Sequence, residues 1–331
     1  MKKSLIVIMA VIMVVTCLFA GCEKKPEEPV VTPKVAGVPE EPAAPTTKVE
    51  VDEKKGKDYT TIEFGRYPST ELDAKKDADI IEALGKLAES EADAKTGYFT
   101  YKDTQYQKEI KIVKDEDGLD VTEVHWFEVE PISWIVLEEK DGKLFVIAEE
   151  NVNAVPFNKT PEDTNWAIST LRDWLNGLNE YKNTFNFYNC AFTAEEQSVI
   201  VTQDITTAKN ADYNTESGEA VKDRVSILSV EQIEDSKKWA DGLFNEDKDE
   251  LTLGRACGNT EYSLFKGAAA HISYDRKNSS WYWLRNSGAN AKQATYVNEM
   301  GNTISAGYTV SFPQNGVRPT LVLDTANIIL K

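Results

Sequence analysis

The sequence predicts an α+β fold, mainly antiparallel sheet with packed helices, and three observations carry the prediction. Segments of polar–apolar alternation such as Thr61–Tyr67, and short apolar runs such as Leu144–Ala148, recur along the chain between Gly, Asn and Asp turns, as strands require. Two S/T-x-x-E/Q capping boxes, Thr193–Glu196 and Ser229–Gln232, mark helix starts among those strands. No regular strand–helix–strand alternation is present, which argues against a parallel α/β sheet. The 331 residues suit one or two domains. Against 55 Asp and Glu there are 37 Lys and Arg, a formal charge of −18. That balance leaves no basic face broad enough for a phosphate backbone, so nucleic-acid binding is excluded, as is a polybasic grip on anionic lipid.

Taken in order, the chain opens on Met1-Lys2-Lys3, an apolar run from Leu5 to Leu18, and Phe19-Ala20-Gly21-Cys22. This is the layout of a secretory signal over residues 1–21, and the apolar run falls short of the roughly 20 residues a bilayer span needs. Leu18-Phe19-Ala20-Gly21-Cys22 resembles the lipobox of bacterial lipoproteins. That resemblance implies diacylglyceryl attachment to the Cys22 sulfur, cleavage before it, and fatty acylation of the new amine. Two or three acyl chains hold a protein on a membrane where one does not. The expected location is therefore extracytoplasmic, lipid-anchored to the bacterial cell membrane, with the membrane itself as the first partner. Cys17 leaves with the signal, and so do Lys2 and Lys3, which makes the mature chain still more acidic.

Residues 22–57 hold Pro26, Pro29, Pro33, Pro39, Pro42 and Pro45 and lack any aromatic, so this stretch reads as a disordered Pro/Glu-rich linker behind the lipidated cysteine. In extended polyproline form, at about 3.1 Å per residue, it would hold the folded part well clear of the membrane.

A smaller strand–helix–strand region is expected over 58–125. Thr61–Tyr67 is its first strand, ended by Pro68. Leu72, Ile80, Ile81, Leu84, Leu87 and Ala88 fall at helical spacings between Ser69 and Ala94. Tyr98–Tyr101, Glu109–Val113 and Val124–Glu128 are short strands, and Asp115, Asp117 and Asp120 around Gly118 suit a solvated hairpin turn better than a calcium loop. The main domain, 126–331, holds all seven tryptophans. Ile132–Leu137 and Leu144–Ala148 flank Lys140-Asp141-Gly142 as a hairpin. Trp166, Leu171, Trp174 and Leu175 form the buried stripe of a helix. Val225–Leu228, Trp281–Arg285, Ala294–Asn298, Tyr308–Phe312 and Thr320–Leu323 are the remaining strands.

These residues carry a family resemblance. Ile62–Tyr67, Glu130–Leu137, Trp166-x-x-Ser169-x-Leu171-Arg172-x-Trp174-Leu175-Asn176, Trp283-Leu284-Arg285 and Gly316-Val317-Arg318-Pro319 are similar, in this order over 60–325, to the uncharacterised bacterial domain family numbered 6273. The closing aromatic-Leu-Arg and Gly-Val-Arg-Pro elements look distantly like the C-type-lectin fold shared with formylglycine-generating enzymes. The resemblance implies a C-type-lectin-like arrangement, and fold alone does not confer function. Cysteine-dependent copper chemistry does not carry over, because no cysteine follows Cys257.

Residues for catalysis are scarce. His125 and His271 sit in no nucleophile, metalloprotease or phosphate-loop motif. Asp241, Asn245, Asp247 and Asp249 fail the EF-hand pattern. Cys190 and Cys257 admit three states: a disulfide, two free buried thiols, or, with the histidines, a zinc site that no short ligand spacing supports. No metal or cofactor is implied. The more suggestive constellation is C-terminal, where Trp281, Tyr282, Arg285, Asn286, Tyr296 and Asn298 combine flat rings with amide donors and acceptors, a pairing suited to recognition. Core packing competes for the same residues, Trp283 above all, and Arg285 and Arg318 also suit buried structural pairs. The expected work is non-catalytic binding of a glycan, peptide or surface protein. A tethered carboxylate-based hydrolase and a structural envelope protein are the alternatives.

Overall fold

The computed structural model describes residues 35–39, 42, 47–56, 59–235, 239, 255–273 and 276–331, with the side chains of 272, 273 and 276–278 left out. The signal segment, Cys22 and the 241–249 acidic loop lie outside the described residues. Lys34–Lys331 make one compact unit. Its strands are β1 (Val49–Lys55), β2 (Thr60–Glu71), β3 (Phe99–Tyr101), β4 (Thr104–Lys114), β5 (Asp120–Lys140), β6 (Lys143–Ala148), β7 (Glu150–Asn151), β8 (Asn153–Ala154), β9 (Gln203–Ile205), β10 (Val221–Asp223), β11 (Val225–Ser226), β12 (Gly258–Asn259), β13 (His271–Ser273), β14 (Arg276–Ser279), β15 (Tyr282–Ser287), β16 (Gln293–Val297), β17 (Thr303–Thr309), β18 (Gly316–Val317), β19 (Thr320–Asp324) and β20 (Ile328–Leu330). The helices are short: α1 (Ala78–Leu84), α2 (Thr170–Asn176), α3 (Phe187–Ala191), α4 (Ala194–Gln197), α5 (Val230–Glu234) and α6 (Glu261–Phe265).

The fold is α+β and dominated by antiparallel sheet. The large sheet runs β11-β19-β6-β5-β2-β1-β20, with β4 also on β5 and β3 outside β4. All its pairs are antiparallel except β1 with β20. A second sheet runs β17-β16-β15-β18-β8. The central strands are apolar on both sides because both faces of the large sheet are covered. Phe127, Ile132 and Trp134 of β5 and Leu144, Val146 and Ala148 of β6 join one core with Trp166, Leu171, Leu175, Phe187 and Phe192. Their neighbours Ile135, Leu137 and Ile147 point the other way, into a second core with Leu228, Ile233, Tyr282 and Leu284. Each such side chain, fully buried, contributes about 1.5–3 kcal/mol. Trp134 is wholly buried and its indole N–H donates to the Phe64 carbonyl at 2.7 Å. The hairpin between β5 and β6 turns at Asp141 and Gly142, φ +51° and +72°, the left-handed pair that a two-residue hairpin favours.

The Trp166–Asn176 motif is a latch. Ser169 caps α2 by accepting from the Arg172 N–H at 3.2 Å. Arg172, buried, donates Nε to Asp223 Oδ1 at 2.7 Å, and Trp166 donates to Asp223 Oδ2 at 2.8 Å. Asn176 accepts from the backbone N–H groups of Arg224 and Val225 and donates to the Val225 carbonyl. One short helix thus fastens β10 and β11. Both expected capping boxes form, at Thr193–Glu196 and Ser229–Gln232.

Several expectations are corrected. The linker ends earlier than residue 57: Val49–Lys55 is a strand between β2 and β20, with Val51 in the core, and Arg224 donates to the Pro39 carbonyl at 2.6 Å. Pro68 does not end β2. β1 covers only Thr60–Glu63, so further along that flank no ladder bond is lost to the missing N–H. The helix expected over 69–94 shrinks to α1 and a 3-10 turn at Glu89–Glu91, because Asp73 folds 73–76 into a turn by accepting from Lys75 and Lys76. Val124–Glu128 and Ile132–Leu137 are one strand, β5, so the division at 125/126 falls inside a strand. Tyr308 lies in β17, which ends at Thr309, not in a strand reaching Phe312. The possible Cys190–Cys257 disulfide does not form: Cys190 packs against the first core and Cys257 sits in the second, across the large sheet. The hairpin turn at Asp115–Asp120 forms, Asp115 accepting from Asp117 and Leu119.

Candidate ligand-binding surface

The six residues singled out from the sequence lie on β15, β16 and their flanks, and burial divides them. Tyr282 is buried; its hydroxyl donates to the Arg255 carbonyl at 2.7 Å and burial pushes its phenol up to about 12. Arg318 reaches that hydroxyl and the Ala148 carbonyl, so it ties β15 to β6. Arg285, also buried, donates to the Ile227 carbonyl and to Ser226 and Thr207. Asn286 accepts from the Val230 N–H at 2.8 Å and donates to the Ala208 carbonyl and Glu231, fixing the start of α5. Tyr282, Arg285 and Asn286 therefore hold the protein's own backbone and side chains and present no ligand contact. Asn298 accepts from the N–H groups of Met300 and Asn302, which shapes the β16–β17 turn.

Trp281 and Tyr296 remain, and the fold brings other rings to them. Strand alternation turns Trp281 to the same side as Trp283, which is wholly buried with its N–H on the Val155 carbonyl at 3.0 Å. Trp281 stands only partly buried at the end of β15. Its ring lies parallel to His271 at 5.5 Å and within 5.0 Å of Tyr296, 5.9 Å of Tyr308 and 6.2 Å of Phe312. Its indole N–H donates to Glu299. Tyr308, 39 % exposed, is the open edge of the cluster and meets Phe312 edge-on at 4.6 Å. Burial first, then Glu299 and Tyr308, push the Tyr296 phenol up, so it stays a neutral donor. One residue from Gly316, whose N–H donates to the Trp281 carbonyl, Asn315 is wholly buried with both side-chain polar atoms unpaired. The arrangement can stack flat or CH-rich groups on its exposed edge.

Sequence reasoning missed Tyr308, Phe312 and Glu299 as members of this cluster and weighed His271 only for catalysis or a zinc site. The spacing of Tyr308 and Phe312, four apart in a segment read as extended, puts both on one side and was the available signal. His125 lies elsewhere, with Nδ1 2.6 Å from Glu71 and its ring 4.7 Å from Phe265. Among the described residues no three His, Cys, Asp or Glu side chains are grouped to hold a metal ion, and no helix is long and apolar enough to cross a membrane.

Residues 141–325 match the family described as Domain of unknown function (DUF6273), a span from the β5–β6 turn through β19 that includes the latch, the aromatic cluster and the Gly316–Pro319 element. The chain belongs to this family. The DUF6273 match begins at Asp141, so the Ile62–Tyr67 and Glu130–Leu137 elements lie outside it. No curated protein and no solved structure matches the chain.

Proposed function

We propose that the mature chain is an extracytoplasmic lipoprotein, anchored to the bacterial cell membrane through Cys22, whose DUF6273-containing unit is a non-catalytic recognition module for a glycan, peptide or neighbouring surface protein. The observation that carries the binding role is the cluster of Trp281, Tyr296, Tyr308, Phe312 and His271, packed at its base and open along Tyr308. Rings fixed in advance lose little freedom on binding, which suits a recognition surface. The same reading takes the unit as C-type-lectin-like, on the resemblance carried by Trp283-Leu284-Arg285 and Gly316–Pro319.

Screening the full chain on glycan and peptide arrays, then repeating with Trp281→Ala and Tyr308→Ala, tests the module. Loss of binding with the fold retained supports it; stable variants that bind as before overturn it. Intact mass of the membrane fraction tests the anchor. A chain beginning at Met1 and free of fatty acid overturns that part.

One observation favours a tethered carboxylate-based hydrolase as the second reading. Glu149 accepts from the Tyr59 and Ser133 hydroxyls at 2.9 and 2.7 Å, whereas Glu150 is pushed up by desolvation and then by Glu149 and Glu130. The three carboxylates line a cavity of about 90 Å³. Two acids in unlike surroundings are what acid–base hydrolysis needs. Glycan turnover by the full chain, abolished by Glu150→Gln, would decide for this reading.

A further inference from the structure

We propose that a second cavity, framed by β2, β4, β8, α2, α3 and α6, is a binding site for a neutral polyhydroxylated ligand of the size of a sugar ring. It shares no lining residue with the Trp281 cluster and stands whether or not that surface binds anything.

The cavity measures about 350 Å³, within the range of small-molecule sites. Its wall carries an unmet hydrogen-bonding demand. Tyr98 is 3 % exposed and lines the cavity; its hydroxyl has no partner in the protein and is itself shut off from solvent, so a ligand group meets it only where the wall gives slightly. Buried polar groups are nearly always paired, so an orphan phenol on a cavity wall marks a bond left for something else to make. Two further buried phenols lie in the same wall, beside the half-buried Tyr181. Tyr67 accepts from the Asn153 amide at 3.0 Å and keeps its own proton to donate. Tyr262 donates to Glu109 at 2.8 Å. Burial holds all three phenols in the neutral form, so they act as uncharged donors and acceptors.

Charge in the cavity cancels. Glu109, its one carboxylate, faces the Lys266 ammonium at 3.3 Å, which leaves no surplus to attract an ion of either sign. What remains is stacking surface and amide chemistry. Trp174 and Tyr181 supply rings, Gln107 an amide, and Phe185, 59 % exposed and lying against Gly97, sets an aromatic at the opening. A sugar ring has an apolar CH face for Phe185 and hydroxyls that both give and take hydrogen bonds, matching the three phenols. Ordered water is the rival occupant: at about 30 Å³ each, several waters would fit, and they would leave the aromatic opening unexplained.

Isothermal titration of the full chain with glucose, galactose and N-acetylglucosamine, with glucuronate and glucosamine as charged controls, tests the site. At least one neutral sugar is expected to bind saturably and the charged forms more weakly. Tyr98→Phe, which removes only the orphan oxygen, is expected to weaken binding about threefold to tenfold without lowering the melting temperature. Cys190 lines the same wall, so occupancy should slow its alkylation, read peptide by peptide, and leave Cys257 unaffected. Failure of every neutral sugar to bind, or unchanged affinity in Tyr98→Phe, overturns the proposal and leaves water as the occupant. Trp281→Ala is expected to preserve this binding; its loss there would move the sugar to the surface cluster and equally overturn the cavity.

Discussion

Replacing Asp223 by alanine isolates what the Trp166–Asn176 latch contributes. Its two carboxylate oxygens take the Arg172 Nε–H and the Trp166 indole N–H, and neither member of the ion pair exposes any side-chain surface. Removing the carboxylate leaves a guanidinium buried with only the Ala167 and Lys222 carbonyls, at 3.0 and 3.3 Å, and an indole N–H with none. Breaking a buried pair on one side costs about 3–5 kcal/mol, because the remaining charge is desolvated without compensation. At about 2–4 °C per kcal/mol for a domain of this order, the melting temperature should fall by about 6–20 °C. Urea unfolding of the full chain, followed by tryptophan fluorescence and far-UV circular dichroism, supplies the free energy. The double variant Arg172→Met/Asp223→Leu removes both charges and is expected to recover more than half of the loss. A single variant costing under about 1 kcal/mol, or a double no more stable than the single, would refute the assignment of the latch as a desolvated pair.

Three other outcomes rest on the same packing. A Cβ on Gly316 would stand 2.3 Å from the Asn151 side chain, which is itself buried and bonded to Asn259, so Gly316→Ala should cost about 1–3 kcal/mol in urea unfolding. Burial pushes the Cys190 thiol up to about 11 from about 9, so the fold holds its proton more tightly than the open chain does. Its contribution is complete below pH 9 and is lost as the pH rises through 11. Native alkylation at Cys190 should accordingly lag the denatured rate at pH 8, and the denatured, unreduced chain should take up label at both Cys190 and Cys257. Ile110 and Ile112 stand 59 % and 69 % exposed on the β4 arm, so Ile110→Lys and Ile112→Lys should each shift stability by no more than about 0.5 kcal/mol.

Local chemistry explains what could be read in advance. The β5–β6 hairpin, both capping boxes and the Asp115–Asp120 turn follow from neighbours in the chain, and all of them form. Elements decided at a distance were misjudged. Val49–Lys55 looks like linker because its alternating valines are few among Glu, Asp and Lys; pairing with β2 on one side and with β20, almost 280 residues downstream, on the other makes it a strand. Pro68 reads as a terminator until β1 is seen to stop short of it. Ser69–Ala94 has helical spacing, yet pairing with β5 draws Ser69–Glu71 into β2, and the Asp73 turn occupies 73–76 before a helix can form.

The binding surface obeys the same division. Alternation correctly separates Tyr282 from Trp281 and Trp283, but which face meets water depends on the second core, and that core covers the Tyr282 side. Arg285 and Asn286 look like ligand groups by type, and their donors are consumed by Ile227 and Ala208, partners set by how β15 meets β11 and α5. The three buried phenols of the cavity come from β2, the turn before β3, and α6, three places with no sequence relation to one another. A site assembled that way has no linear motif, so its signature is physical: one buried hydroxyl, at Tyr98, whose hydrogen bond the protein itself does not complete.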